Sequence, residues 1–168
     1  THDQSSAASD VYKRQALGLR PVPAFELEFY LADPKAVDGA LSNPLTGASV
    51  IREGVLSLDD LDDFDAILTD IYDGCKIQSV AADAAISESG IGQFEVNLRH
   101  SEDAMKVADD AMLFKNVVKS VARKHGLAAS FMAKPFAQRP GSGLHMHFSI
   151  LDGAGANIFD NGDADGSA

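Results

Sequence analysis

The sequence predicts an α+β fold in which a curved antiparallel sheet packs helices on one face and leaves the other, concave face polar. Two observations predict it. Three segments alternate apolar and polar residues with a period of two, as half-buried strands do, and each puts Glu or His on its polar side. Two longer segments repeat apolar residues at helical spacing, which gives the sheet's apolar side something to pack against.

The first strand is predicted over Pro23 to Leu31. Phe25, Leu27, Phe29 and Leu31 share one face, while Glu26, Glu28 and Tyr30 share the other. Ala32 to Val55 carries Pro34, Pro44 and glycines and is expected to be an irregular excursion that includes Glu53. Ser57 then precedes a single predicted helix with Leu61, Phe64, Leu68, Ile71, Tyr72 and Cys75 on its apolar stripe and Asp59, Asp60, Asp62 and Asp63 in its first turns. Ala81 to Glu88 and Gln93 to Arg99 read as two strands joined across Ser89-Gly90-Ile91-Gly92. Ser101 is expected to cap a second helix, whose stripe runs from Ala104 through Val107, Ala111, Phe114 and Val118 to Ala122 and which stops at Lys124-His125-Gly126. Ala128 to Ala133 is a short predicted strand, Lys134 to Gly143 a loop, and Leu144 to Leu151 a last alternating strand with Leu144, Met146, Phe148 and Ile150 on its buried side.

Length and composition bound the rest. A chain of 168 residues with 45% apolar and 23% charged residues is one globular domain's worth of sequence. Fourteen Lys and Arg against 25 Asp and Glu leave a net charge of −11, which argues against nucleic acid or an anionic membrane as the main partner and favours a cation. The single Cys75 excludes an internal disulfide and a multi-cysteine zinc site and is expected to be a buried apolar residue. No apolar run approaches the length that crosses a bilayer, and the first residues lack a signal peptide's order, so a cytoplasmic setting is expected.

Residues 1–15 are small and polar without period and are expected to be a tail foreign to the fold. Residues 16–160 carry the pattern, and 161–168 end in Gly- and Asp-rich loop residues with no closing element. A fragment of a longer domain is therefore expected.

The chemistry lies in the polar faces. Glu26 and Glu28 project from one side of the first strand; Gln93, Glu95, Asn97 and Arg99 project from one side of another; His145, His147 and Ser149 do so from the last. Glu88 ends a fourth strand just before the turn, so four of the six glutamates fall in this set. Gathered on one sheet face, carboxylates raise one another's pKa, and a hard divalent cation such as Mg²⁺ or Mn²⁺ relieves the repulsion. His100 and His125, at a helix entry and a helix exit, are expected to be capping or solvated residues. Arg99 is expected to pair with a strand carboxylate, and Lys134 to be a loop cation or to face phosphate.

FELEFYL (Phe25 to Leu31), GQFEVNLRH (Gly92 to His100), FMAKP (Phe131 to Pro135) and GSGLHMHFSI (Gly141 to Ile150) together resemble, in order and spacing, the catalytic-domain motifs of the glutamine synthetase superfamily. LFKNVVKSVARKHG (Leu113 to Gly126) and GQFEVNLRH look most like the branch that includes γ-glutamylpolyamine synthetases.

The resemblance implies an ATP-dependent ligase that joins the γ-carboxylate of glutamate to ammonia, a polyamine or another primary amine through a γ-glutamyl phosphate. Two or three Mg²⁺ or Mn²⁺ ions would lie between ATP and glutamate. By motif, Glu28, Glu88 and Glu95 match ligands of the ion nearer glutamate, Glu26 and His145 match ligands of the ion at the ATP phosphates, and His147 and Ser149 match nucleotide-side contacts. Glu88 matches the group that helps deprotonate the amine, and Gly141 the loop glycine beside glutamate. Pro140 stands where many glutamine synthetases have Asn, which weakens the assignment of ammonia. The family's later Glu ligand, its substrate-binding arginines and its small N-terminal domain have no counterpart in these residues, so the fragment alone is expected to be inactive and a homo-oligomer is expected of the full-length protein. The other reading is a catalytically silent relative that keeps a metal-binding sheet for scaffolding.

Overall fold

The computed structural model of the chain describes residues 17–35, 42–47, 56–160 and 162; the expected tail at 1–15 and most of 161–168, like Glu53, lie outside these residues. Five strands form one antiparallel sheet: β1 (Arg20–Ala32), β2 (Ala82–Ser87), β3 (Gln93–Leu98), β4 (Ala128–Ser130) and β5 (Leu144–Leu151). The helices are α1 (Leu58–Asp63), α2 (Asp65–Ile77) and α3 (Ala104–Lys124).

β1 is the centre of the sheet. Along one edge Glu26 to Tyr30 pair with β3, whose far side takes β2 in the predicted hairpin. Along its other edge Arg20 to Leu27 pair with β5 and Tyr30 to Ala32 pair with β4. β1 starts three residues before the alternation predicts, despite Pro21 and Pro23. Both prolines lie outside the stretch that pairs with β3, where a missing N–H removes no ladder bond, and the Pro23 carbonyl accepts from Ser101 N–H at 3.2 Å.

The alternation delivers the core. Leu27, Phe29 and Leu31 of β1 and Phe94, Val96 and Leu98 of β3 pack against Phe64, Ile67, Leu68, Ile71 and Cys75 and against Phe114, Val118, Val121 and Ala122 of α3. Phe29 meets Phe94, Phe114 and Phe131 with ring centroids 5.2–6.2 Å apart, an arrangement that adds attraction beyond area burial. Cys75 is buried as expected, and burial pushes its thiol up to about 11.

Three local expectations change. The single helix after Ser57 is two: Ser57 Oγ caps α1 by accepting from Asp60 N–H, and the chain leaves helical geometry at Phe64 (φ −101°, ψ 7°), which turns its ring into the core before α2 begins. The cap of α3 is Asp103, accepting from Lys106 N–H at 3.0 Å, while Ser101 Oγ accepts from Asp103 N–H one step earlier. Both residues suit an N-cap, and position relative to the first buried residue, Val107, selects the later one.

The third change concerns β5. Its apolar side, expected to be buried, is exposed: Leu144 56%, Met146 56% and Phe148 50%. The helices cover β1 to β4, and β5 hangs from the end of β1 beyond their reach. The predicted burial was a statement about alternation, which identifies a face without saying whether anything covers it.

The core predicts its own test. Phe114→Ala should cost about 3–5 kcal/mol of unfolding free energy, whereas truncating the exposed Met112 in the same helix should stay within about 0.5 kcal/mol. Urea unfolding of the two variants checks this.

Candidate metal and substrate site

Directly paired residues of an antiparallel sheet point to the same side. Glu28 stands opposite Glu95, Glu26 opposite both Asn97 and His145, and Ala24 opposite His147. The three polar faces therefore converge on one surface, the side of the sheet away from α2 and α3. Glu88 follows β2 on this side, held by its N–H to the Gln93 carbonyl at 2.9 Å.

Glu26 sits between the two histidines, its Oε2 2.9 Å from His147 Nε2 and 3.3 Å from His145 Nδ1. The hydrogen bond from His147 is the main reason its carboxyl lies below the ordinary carboxylate range. Two other carboxyls on this face move the opposite way. Burial, then the charge of Glu28, raises Glu88; burial, then the charges of Glu26, Glu88 and Glu28, raises Glu95.

Among the described residues, one group of possible ligands converges: one atom each from Glu26, Glu95 and His145, all within 4.8 Å of one another. Glu28, Glu88 and Glu95 do not form such a group. Glu28 is held elsewhere, with Gln93 Nε2 donating to its Oε2 at 3.0 Å and its Oε1 against Gly143, where a Cβ would come within 2.7 Å of that oxygen. A larger residue there would push the Glu28 carboxylate aside. The residues suit a hard divalent cation on three counts: two carboxylates and an imidazole converge, Glu88 and Glu95 are strained toward protonation, and Asn97 Oδ1 beside Glu26 is buried and receives no hydrogen bond.

A cavity of about 570 Å³ opens beside Glu26 and continues along the face past Asn97, Arg99, His100, His147 and Ser149. His147 and Ser149, matched by motif to the nucleotide side, both line it. So do Arg99 and His100, which the sequence reading left out of the site. Arg99 makes the expected pair with a strand carboxylate, Asp83, at 3.4 Å, and both ends of that pair border the cavity. The period-two pattern through Gln93, Glu95, Asn97 and Arg99 carried the signal for Arg99; nothing in the pattern marks His100, which follows the strand.

The loop before β5 closes the other side. Tyr30 Oη donates to the Pro140 carbonyl at 2.9 Å, Ser142 N–H donates to the Ala133 carbonyl at 2.9 Å, and Lys134 Nζ donates to the Arg139 carbonyl. Lys134 is therefore a loop-bracing cation. Gly141, the expected substrate-side glycine, packs so closely that a Cβ would sit 2.7 Å from the Ala133 carbonyl oxygen. His125 caps α3 and pairs with Asp70 at 2.7 Å, away from this face.

The chain matches the family model described as the glutamine synthetase catalytic domain over residues 5–168. It is 36% identical over 179 aligned residues to the γ-glutamylputrescine synthetase PuuA of Escherichia coli K12, an alignment covering 98% of this chain and 38% of that protein. It is 34% identical to the glutamate–isopropylamine ligase of a Pseudomonas species, covering 90% of this chain and 33% of that one. Among solved structures, GmaS in complex with ADP superposes with a TM-score of 0.79 at 29% identity, covering 96% of this chain and 36% of that chain. The chain thus spans between a third and two fifths of the length of each of these three proteins.

The raised carboxyls make a signed prediction. An acid whose pKa is higher in the folded chain costs stability as pH rises from its unfolded pKa through the higher folded one, because over that range the unfolded chain ionises first. In buffer stripped of metal, Glu95→Gln should gain stability relative to the unaltered chain as pH rises from about 4 to about 7. Urea midpoints across that range measure the gap, and a gap that does not widen with pH would contradict the strain assigned to Glu95.

Proposed function

The chain belongs to the glutamine synthetase catalytic-domain family, and we propose that the protein it is part of is an ATP-dependent ligase joining the γ-carboxylate of glutamate to an organic primary amine. The observation that carries this reading is the convergence of Glu26, Glu95 and His145 beside a nucleotide-sized cavity in a chain whose relatives include two named glutamate–amine ligases. Those names, together with Pro140, support an amine larger than ammonia.

In this reading Glu26, Glu95 and His145, with Glu28 and Glu88 from the same face, hold Mg²⁺ or Mn²⁺. Bound there, such ions would supply positive charge to the transferring phosphoryl group and to the two anionic substrates. His147 and Ser149 contact the nucleotide along the cavity, and Gly141 lets the loop backbone approach glutamate. ATP phosphorylates the γ-carboxylate, giving γ-glutamyl phosphate and ADP; the amine nitrogen then attacks the acyl carbon and phosphate leaves. Glu88, half-buried and raised by burial, accepts the proton that the amine loses. The whole protein is proposed to be a cytoplasmic homo-oligomer; among the described residues no helix is long and apolar enough to cross a membrane.

Two measurements test the reading. Calorimetric titration with Mn²⁺ should show weaker binding for Glu95→Ala than for Glu102→Ala, because Glu102 is exposed and paired with Arg20 outside the site. Equal effects would count against the ion assignment. A phosphate-release assay with glutamate and ammonia, putrescine or isopropylamine should show turnover by a form extended to the length of the relatives and little by the 168-residue chain, since positioning groups contribute many powers of ten to such rates. An extended protein inactive with every amine would favour a silent metal-binding relative.

A further inference from the structure

Gln93 is 1% exposed on the site face, opposite Tyr30. Its Nε2 donates to Glu28 Oε2 at 3.0 Å and to the Gly141 carbonyl at 2.9 Å, and its Oε1 accepts from Gly90 N–H at 3.0 Å. Both amide hydrogens are in use, and one planar group joins a carboxylate on β1, the loop before β5 and the turn between β2 and β3.

Burial makes this arrangement rigid. A buried amide that lost any one of these partners would leave a polar atom unsatisfied, so the three move together or not at all. On its outer side, Glu28 Oε1 lies against Gly143, where a Cβ would come within 2.7 Å of that oxygen.

We infer that Gln93 is a positioning residue: its amide sets the orientation of Glu28 and, through the same nitrogen, couples ion binding on this face to the placement of the Gly141 loop. This rests on the proposed ion site. An ion that draws electron density from Glu28 weakens the carboxylate as an acceptor, and the shared Nε2 passes that change to the Gly141 carbonyl. A ligand bound against the loop acts on Glu28 by the reverse route, as linkage requires.

The test is a Mg²⁺ titration of the ¹⁵N-labelled chain by NMR. The Gln93 side-chain amide and the Ser142 N–H should shift with the same midpoint as the Glu95 N–H. Gln93→Met, which fills the same length without donors, should bind Mn²⁺ about ten-fold or more weakly. In that variant Mg²⁺ should still move Glu95 but no longer Ser142. A Gln93 amide that stays put while Glu95 shifts, or a methionine variant with unchanged affinity and an intact Ser142 response, overturns the inference and leaves the ion site standing. An unaltered chain in which no resonance responds to Mg²⁺ overturns both. Should the variant fail to fold, the titration of the unaltered chain decides alone.

Discussion

The register of β1 between β3 and β5 governs both sides of this molecule. Pairing Glu28 with Glu95, and Glu26 with His145, sends Leu27, Phe29 and Leu31 into the helices on the opposite side. A slip of one residue on either edge would exchange the two faces, burying carboxylates in an aromatic core and exposing the phenylalanines. The core therefore holds the charged face in register. The free energy that keeps mutually repelling carboxylates together comes from Phe29, Phe94, Phe114 and their neighbours, which contribute through burial and ring contacts.

That arrangement explains why the site carries strain. Folding brings Glu26, Glu28, Glu88 and Glu95 to one surface, where Glu26 is relieved by His147 and His145 and Glu28 accepts a hydrogen bond from Gln93. Glu88 and Glu95 remain raised by burial and by their neighbours. In the proposed function, a divalent cation bound at this face would supply the positive charge that the protein withholds.

Small residues and backbone groups set the finer geometry. Gly143 gives Glu28 its room, Tyr30 fastens the loop at Pro140, and Gln93 ties that loop to the carboxylate. None of these contacts joins neighbours in sequence; Tyr30 and Pro140 are 110 positions apart. They exist because β5 returns along β1 and brings its preceding loop over the end of the polar face.

Alternation in the sequence by itself determined which residues share a face, because the strand period of two is a property of the backbone; it identified Glu26, Glu28, Glu95, His145 and His147 as one chemical set. Helical spacing likewise identified Phe114, Val118 and Val121 as core. Only the tertiary structure decided which of the set meet. It brought Glu26, Glu95 and His145 within ligand reach, turned Glu28 toward Gln93, and added Arg99 and His100 to the cavity wall. It also left the apolar side of β5 uncovered. Those outcomes depend on strand order, on where one strand ends beside another and on which side chain reaches a buried partner first. A local period contains none of that information, since the contacts lie between segments that the chain brings together only on folding.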